Sequence, residues 1–88
     1  MRYVVIDNHD HAVRVVAKTA DEAALRGATK LGMRWAGRRP GRVQQYAEGS
    51  ASWIVYGPYD DGSNGWHVMD LVYVYDAKSV PPRQLNYV

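Results

Sequence analysis

The apolar pattern changes period at Thr19, and that change limits what the chain can fold into. Before it, Tyr3-Val-Val-Ile-Asp7 and Ala12 to Lys18 are short runs rich in β-branched residues, separated by the polar stretch Asn8-His9-Asp10-His11. This is the pattern of two strands and a turn. In the second run Val13, Val15 and Ala17 alternate with Arg14, Val16 and Lys18, which predicts one buried and one partly wet face. After Thr19, Ala20, Ala24, Ala28 and Leu31 recur at i, i+4, i+8 and i+11, forming the single stripe of a helix.

The helix has a start and a stop. Thr19-Ala-Asp-Glu22 is a capping box, in which the Thr19 hydroxyl accepts from the Glu22 amide and the Glu22 carboxylate returns a bond to Thr19. Asp21 and Glu22 sit at the positive end of the helix dipole. Gly32 suits the position just beyond the helix, with Met33 following to make an apolar contact, so the helix is expected to end near Leu31. Gly27 costs about 1 kcal/mol against Ala inside a helix; with an alanine stripe beside it, it suggests a close approach of backbone to sheet.

Downstream, Arg34-Trp-Ala-Gly-Arg-Arg-Pro-Gly-Arg42 breaks both periods and reads as an exposed loop. The third strand then begins either at Met33, before these arginines, or at Val43, after them. Val43 to Ala47 and Ser52 to Tyr56 are strand-like and are joined by Glu48-Gly49-Ser50, a hairpin connection. Residues Gly57 to Gly65 form a second exposed loop. Trp66 to Asp76 is the longest strand candidate, with Val68, Val72 and Val74 on one face and Met69, Leu71, Tyr73 and Tyr75 on the other. Two apolar faces place it centrally, with the helix over one side and aromatics covering part of the other. Ser79-Val-Pro-Pro-Arg cannot be helical, so residues 79–88 read as an extended tail. The expected fold is a two-layer α+β domain over residues 1–78: an antiparallel sheet of about five strands with one helix, in the order β-β-α-β-β-β.

Composition sets how such a domain is held. With 88 residues and no cysteine, one apolar core supplies the stability, without disulfides or thiolate metal sites. Phe is absent while there are seven Tyr and three Trp, so every large ring carries a polar atom and suits a boundary. The apolar run at the N-terminus is too short for a signal peptide or a membrane span, so no membrane role and a cytoplasmic location are expected.

Sites for chemistry find little support. His9 and His11 flank Asp10, but the third histidine is the distant His67, and a solvated turn accounts for the pair better than a metal does. Asp60-Asp-Gly-Ser-Asn-Gly65 has the composition of a calcium loop without its alternate-ligand spacing or terminal Glu. Ser50, Ser52, His67 and Asp70 are not framed by any nucleophile signature, and the glycines at 32, 37 and 41 follow a helix, the wrong side for a phosphate loop. Asp70 is the one acid on an otherwise apolar strand face. The expectation is a protein that is not an enzyme and needs no cofactor or metal.

Charge is segregated. Residues 14–42 carry eight Lys/Arg against two acids, whereas residues 43–76 carry five acids and no Lys/Arg. Such a dipole orients a charged partner and weakens with salt. Arg26 and Lys30 lie one turn apart on the helix, and Arg34, Arg38, Arg39 and Arg42 follow in the loop, giving a basic ridge with Trp35 in its middle. Arginine favours bidentate and stacking contacts with carboxylate, phosphate or rings. Tyr59, Asp60 and Asp61 supply an acidic counterpart, and Tyr56, Tyr59 and Trp66 could form the apolar centre of an interface.

With its strand Tyr3–Asp7, its capped helix Thr19 to Leu31 and its late hairpin strand Ser52-Trp-Ile-Val-Tyr56, the chain resembles in layout, over residues 1 to 76, several very short phage-encoded proteins, including some anti-CRISPR inhibitors. The resemblance carries no site residue across. It implies a protein that occupies a host protein or nucleoprotein surface stoichiometrically. The expected function is therefore inhibition of a host protein or nucleoprotein complex through a charged face, by a monomer or homodimer. The alternatives are a small nucleic-acid-binding domain using the arginine ridge and a self-assembling module that adds strands edge to edge.

Overall fold

A computed structural model describes residues 1–32, 41–58 and 65–88. The elements are β1 (Arg2–Ile6), β2 (His11–Val16), α1 (Ala20–Lys30), β3 (Arg42–Gln45), β4 (Ser52–Pro58), β5 (Trp66–Asp76) and β6 (Asn86–Tyr87). The six strands form one sheet in the order β3-β4-β5-β1-β2-β6. All neighbours are antiparallel except β2 and β6, which are parallel. The α+β class, the single helix and the central position of β5 follow the sequence, and the later start of the third strand matches β3.

Helix α1 starts where the period changes. Thr19, in extended backbone, accepts from the Glu22 amide at 3.4 Å. The Glu22 carboxylate does not return to Thr19; it accepts from the Lys18 amide at 3.4 Å, one residue earlier. At the other end Gly32 has φ +91°, the left-handed conformation that ends a helix at little cost for glycine. The buried residues of α1 are Ala23, Ala24, Gly27 and Ala28, and they lie over Tyr3, Val5, Val13, Val15, Val55, Val72 and Val74 of the sheet. Small helix residues let the larger β-branched side chains of the strands fill the interface. Fully burying one such valine is worth about 1.5–3 kcal/mol.

The opposite face has a second, smaller core, supplied by a segment that the sequence reading placed outside the domain. Val4, Ile6 and Ala12 are buried there with Tyr73, Tyr75, Val80 and Leu85 packed against them. The segment 79–88, expected as an extended tail, folds back over the sheet. It ends in β6, where the Asn86 amide donates to the Asp10 carbonyl and the Val88 amide to the Ala12 carbonyl. Among the described residues the sheet therefore has six strands rather than about five, and it is not wholly antiparallel. The prolines do not oppose this: Pro81 and Pro82 lie before β6 and take no ladder position.

A bulge corrects the expected faces of β5. Val55 pairs with Asp70 but Tyr56 pairs with Val68, so two residues of β5 advance against one of β4. The shift moves Val68 to the face carrying Leu71, Tyr73 and Tyr75, away from Val72 and Val74. Val68 is 59% exposed, whereas Val72 is fully buried.

Candidate binding face

The pairings sort every strand residue by face. Opposite the helix, the strands present Arg2, Val4 and Ile6; Ala12, Arg14 and Val16; Arg42 and Gln44; Ser52, Ile54 and Tyr56; and Trp66, Val68, Leu71, Tyr73 and Tyr75. These positions include three arginines and no carboxylate. The C-terminal segment covers the β1–β2 side of this face, leaving the β3–β4–β5 side uncovered by any other element among the described residues.

On that uncovered side, Arg42, Gln44, Tyr56 and Trp66 line a shallow cleft with a volume of about 430 Å³. The Arg42 guanidinium lies over the Trp66 ring, 5.1 Å from its centroid, a cation–π contact that fixes the direction of the charge. Across the strand the Tyr56 hydroxyl donates to Gln44 Oε1 at 3.4 Å. Ile54, Leu71 and Val68 continue the surface along β4 and β5, and Tyr46, 67% exposed, flanks it just beyond β3. Aromatic rings, aliphatic side chains and one oriented arginine are what the energetic centre of an interface is made of.

Of the predicted ridge, Arg26, Lys30 and Arg42 are among the described residues, and these three do not share one side of the sheet. Arg26 lies on the helix side, where Nη1 donates to the Val16 carbonyl at 2.7 Å and Nη2 pairs with Glu22 Oε1 at 2.7 Å. It occupies an outward-facing carbonyl of β2 beyond the reach of β6, a position that protects an edge. Lys30 is exposed in the last turn of α1. Arg42 is on the opposite face of the sheet. Arg34, Trp35, Arg38, Arg39, Tyr59, Asp60 and Asp61 lie outside the described residues.

The remaining polar candidates serve turns. The Asp7 carboxylate accepts from the His9 amide at 2.8 Å and the His11 amide at 3.0 Å, and meets His11 Nδ1 at 3.2 Å. Burial pushes the Asp7 carboxyl up, but these hydrogen bonds and the nearby His11 outweigh it and hold the group below its ordinary 3.8. A hydrogen bond with Thr19 likewise lowers Asp21 at the helix start. Asp70 accepts from Asn8 Nδ2 and from the Leu71 amide, both at 2.8 Å, tying β5 to the β1–β2 turn. The Ser50 hydroxyl accepts from the Ser52 amide at 3.0 Å inside the β3–β4 connection. Among the described residues no group of three or more His, Cys, Asp and Glu could hold a metal ion, and no helix is long and apolar enough to cross a membrane.

Sequence reasoning named Tyr56 and Trp66 as interface aromatics and Arg42 as part of the basic ridge, but it did not bring Arg42 beside the two rings or add Ile54 and Val68 to them. Alternation within β5 places Val68 with the core valines, and only the bulge moves it. Comparison of the chain with protein-family models, with curated proteins and with solved structures finds no match.

Proposed function

We propose that this protein is a small non-catalytic binding domain that occupies a surface of another protein, and that the β3–β4–β5 face, which no other element among the described residues covers, is the part that docks. The observation that carries this reading is the composition of the face: one arginine, Arg42, and no carboxylate among its strand positions, with Tyr56, Trp66, Ile54, Val68 and Leu71 gathered where the C-terminal segment does not reach. Such a face suits a partner that brings an apolar centre and acidic groups at its rim. A host protein or nucleoprotein complex, inhibited by occupancy in the cytoplasm, is the target class that the layout resemblance adds.

A second reading has its own support. Arg42 over Trp66, with Tyr56 beside them, is also a platform on which a base of a single strand could stack.

The two readings separate in one affinity capture from bacterial lysate, run with and without nuclease, comparing the wild type with Val68→Asp and Lys30→Gln. Protein docking predicts a specific protein that survives nuclease, is lost with Val68→Asp and is kept with Lys30→Gln. Recovery only of nuclease-sensitive material contradicts it and favours the single-strand reading.

A further inference from the structure

We propose a phosphate-binding site at the far end of the same sheet face, formed by Arg2 and Arg14. The register pairs Arg2 with Val16 and Val4 with Arg14, so the two arginines are diagonal neighbours on one face of an antiparallel pair. Side chains so related stand roughly 7–8 Å apart and interact. Both line a cleft of about 410 Å³, with Val16 and Ala77 in its walls. The cleft is distinct from the Arg42–Trp66 surface, which lies at the opposite end of β5, and the proposal does not depend on the docking reading.

Three observations give the cleft its chemistry. First, neither guanidinium has a carboxylate within ion-pair distance among the described residues, whereas Arg26 is paired with Glu22 and Arg83 with Asp10. Two unneutralised like charges on adjacent strands cost stability, and an anion between them reverses the sign of that term. Second, Arg14 is not free to turn away: its guanidinium lies over the Tyr87 ring, 3.8 Å from the centroid. A planar fork held flat on a ring is arranged in advance for bidentate contact with an oxyanion. Third, Arg2 also lines an adjoining cleft with Lys78, so a third cation borders the site. Asp76 also lines that adjoining cleft. One Asp76 oxygen accepts from the Lys78 amide at 2.9 Å, closing the turn after β5.

The ligand chemistry is a phosphate group, from a small phosphorylated molecule or from a nucleic-acid strand. A carboxylate fits the fork but carries less charge for two arginines and a bordering lysine.

The test is a titration of the full chain with inorganic phosphate and pyrophosphate at constant ionic strength, read from amide shifts by NMR. Saturable shifts confined to Arg2, Arg14, Val16 and Ala77 are expected, with pyrophosphate the tighter ligand. Arg2→Gln and Arg14→Gln should each weaken binding about tenfold or more, as loss of a charge-assisted hydrogen bond does. Lys30→Gln, which removes the same charge elsewhere, should change it by less than about twofold. Arg2 makes no stacking contact with Tyr87, so Arg2→Gln remains decisive if Arg14→Gln unfolds. Shifts that do not saturate, or an equal loss with Lys30→Gln, overturn the site. Short oligonucleotides with and without a terminal phosphate then compete against pyrophosphate. Competition by both points to a strand, and competition by the phosphorylated one alone points to a phosphate monoester.

Discussion

Gly27 of α1 sits directly on the side chain of Val5 in β1, so close that a Cβ at position 27 would overlap all three side-chain carbons of the valine. The helix is thereby seated against the middle of the sheet, with Ala23, Ala24 and Ala28 fully buried around the contact. Gly27→Ala should consequently destabilise the protein by about 1–3 kcal/mol, because overpacking outweighs the roughly 1 kcal/mol gained in helix propensity. Urea denaturation checks this. A midpoint raised by the substitution would mean that α1 does not approach β1 this closely.

The second core predicts that the C-terminal segment stabilises the fold. Leu85 and Val80 pack on Val4, Ile6 and Ala12, so Leu85→Ala should cost about 1–3 kcal/mol, less than a fully buried leucine because Leu85 remains partly exposed. Removal of residues 79–88 should cost more and expose Val4 and Ile6 to an apolar dye. A truncated chain with an unchanged denaturation midpoint and no dye binding would contradict the packing.

How far the sequence anticipates this fold differs from element to element. The capping residues and the alanine stripe announce α1, against the cost of Gly27, because helix signals are local, each depending on residues within one or two turns. The alternation of Val13, Val15 and Ala17 fixes β2 for the same reason, and those residues are buried while Arg14 and Val16 are exposed. The face of Val68 was not legible, since it depends on a bulge set by pairing between two strands. Nor was the return of the chain to β2: Pro81 and Pro82 prevent a helix but do not reveal what Leu85 will cover. That Arg42 stands on the other face of the sheet from Arg26 was not legible either, because periodicity places Arg26 on a helix flank without saying that Val16 and Glu22 will engage it, while Arg34, Arg38 and Arg39 lie outside the described residues.

The β1–β2 turn predicts a pH dependence. The Asp7 carboxyl is held below 3.8 in the folded protein by hydrogen bonds from His9 and His11. A depressed carboxyl stabilises the folded state at pH values above its unfolded pKa, and that contribution is lost as pH falls through the folded value. Asp7→Asn should therefore cost stability at neutral pH and shrink the acid-induced loss below about pH 4. A carbonyl-detected NMR titration reads the Asp7 carboxyl directly, and a midpoint above 3.8 would contradict the turn geometry.

The outward position of Val68 separates binding from folding. An exposed side chain away from any cap or core contributes little, so Val68→Ser should shift unfolding by no more than about 0.5 kcal/mol while weakening partner binding. Matched denaturation and binding curves for the variant check both halves. A large stability loss would return Val68 to the core side of β5.

The central claim is that the β3–β4–β5 face is the docking surface, and methyl NMR of the labelled protein titrated with its captured partner tests it most directly. The account predicts that the signals of Ile54, Val68 and Leu71 shift or broaden first, while those of Leu25 and Leu31 on the helix side stay in place. Perturbation of Leu25 and Leu31 with Ile54, Val68 and Leu71 unmoved would contradict it and assign docking to the helix side of the domain.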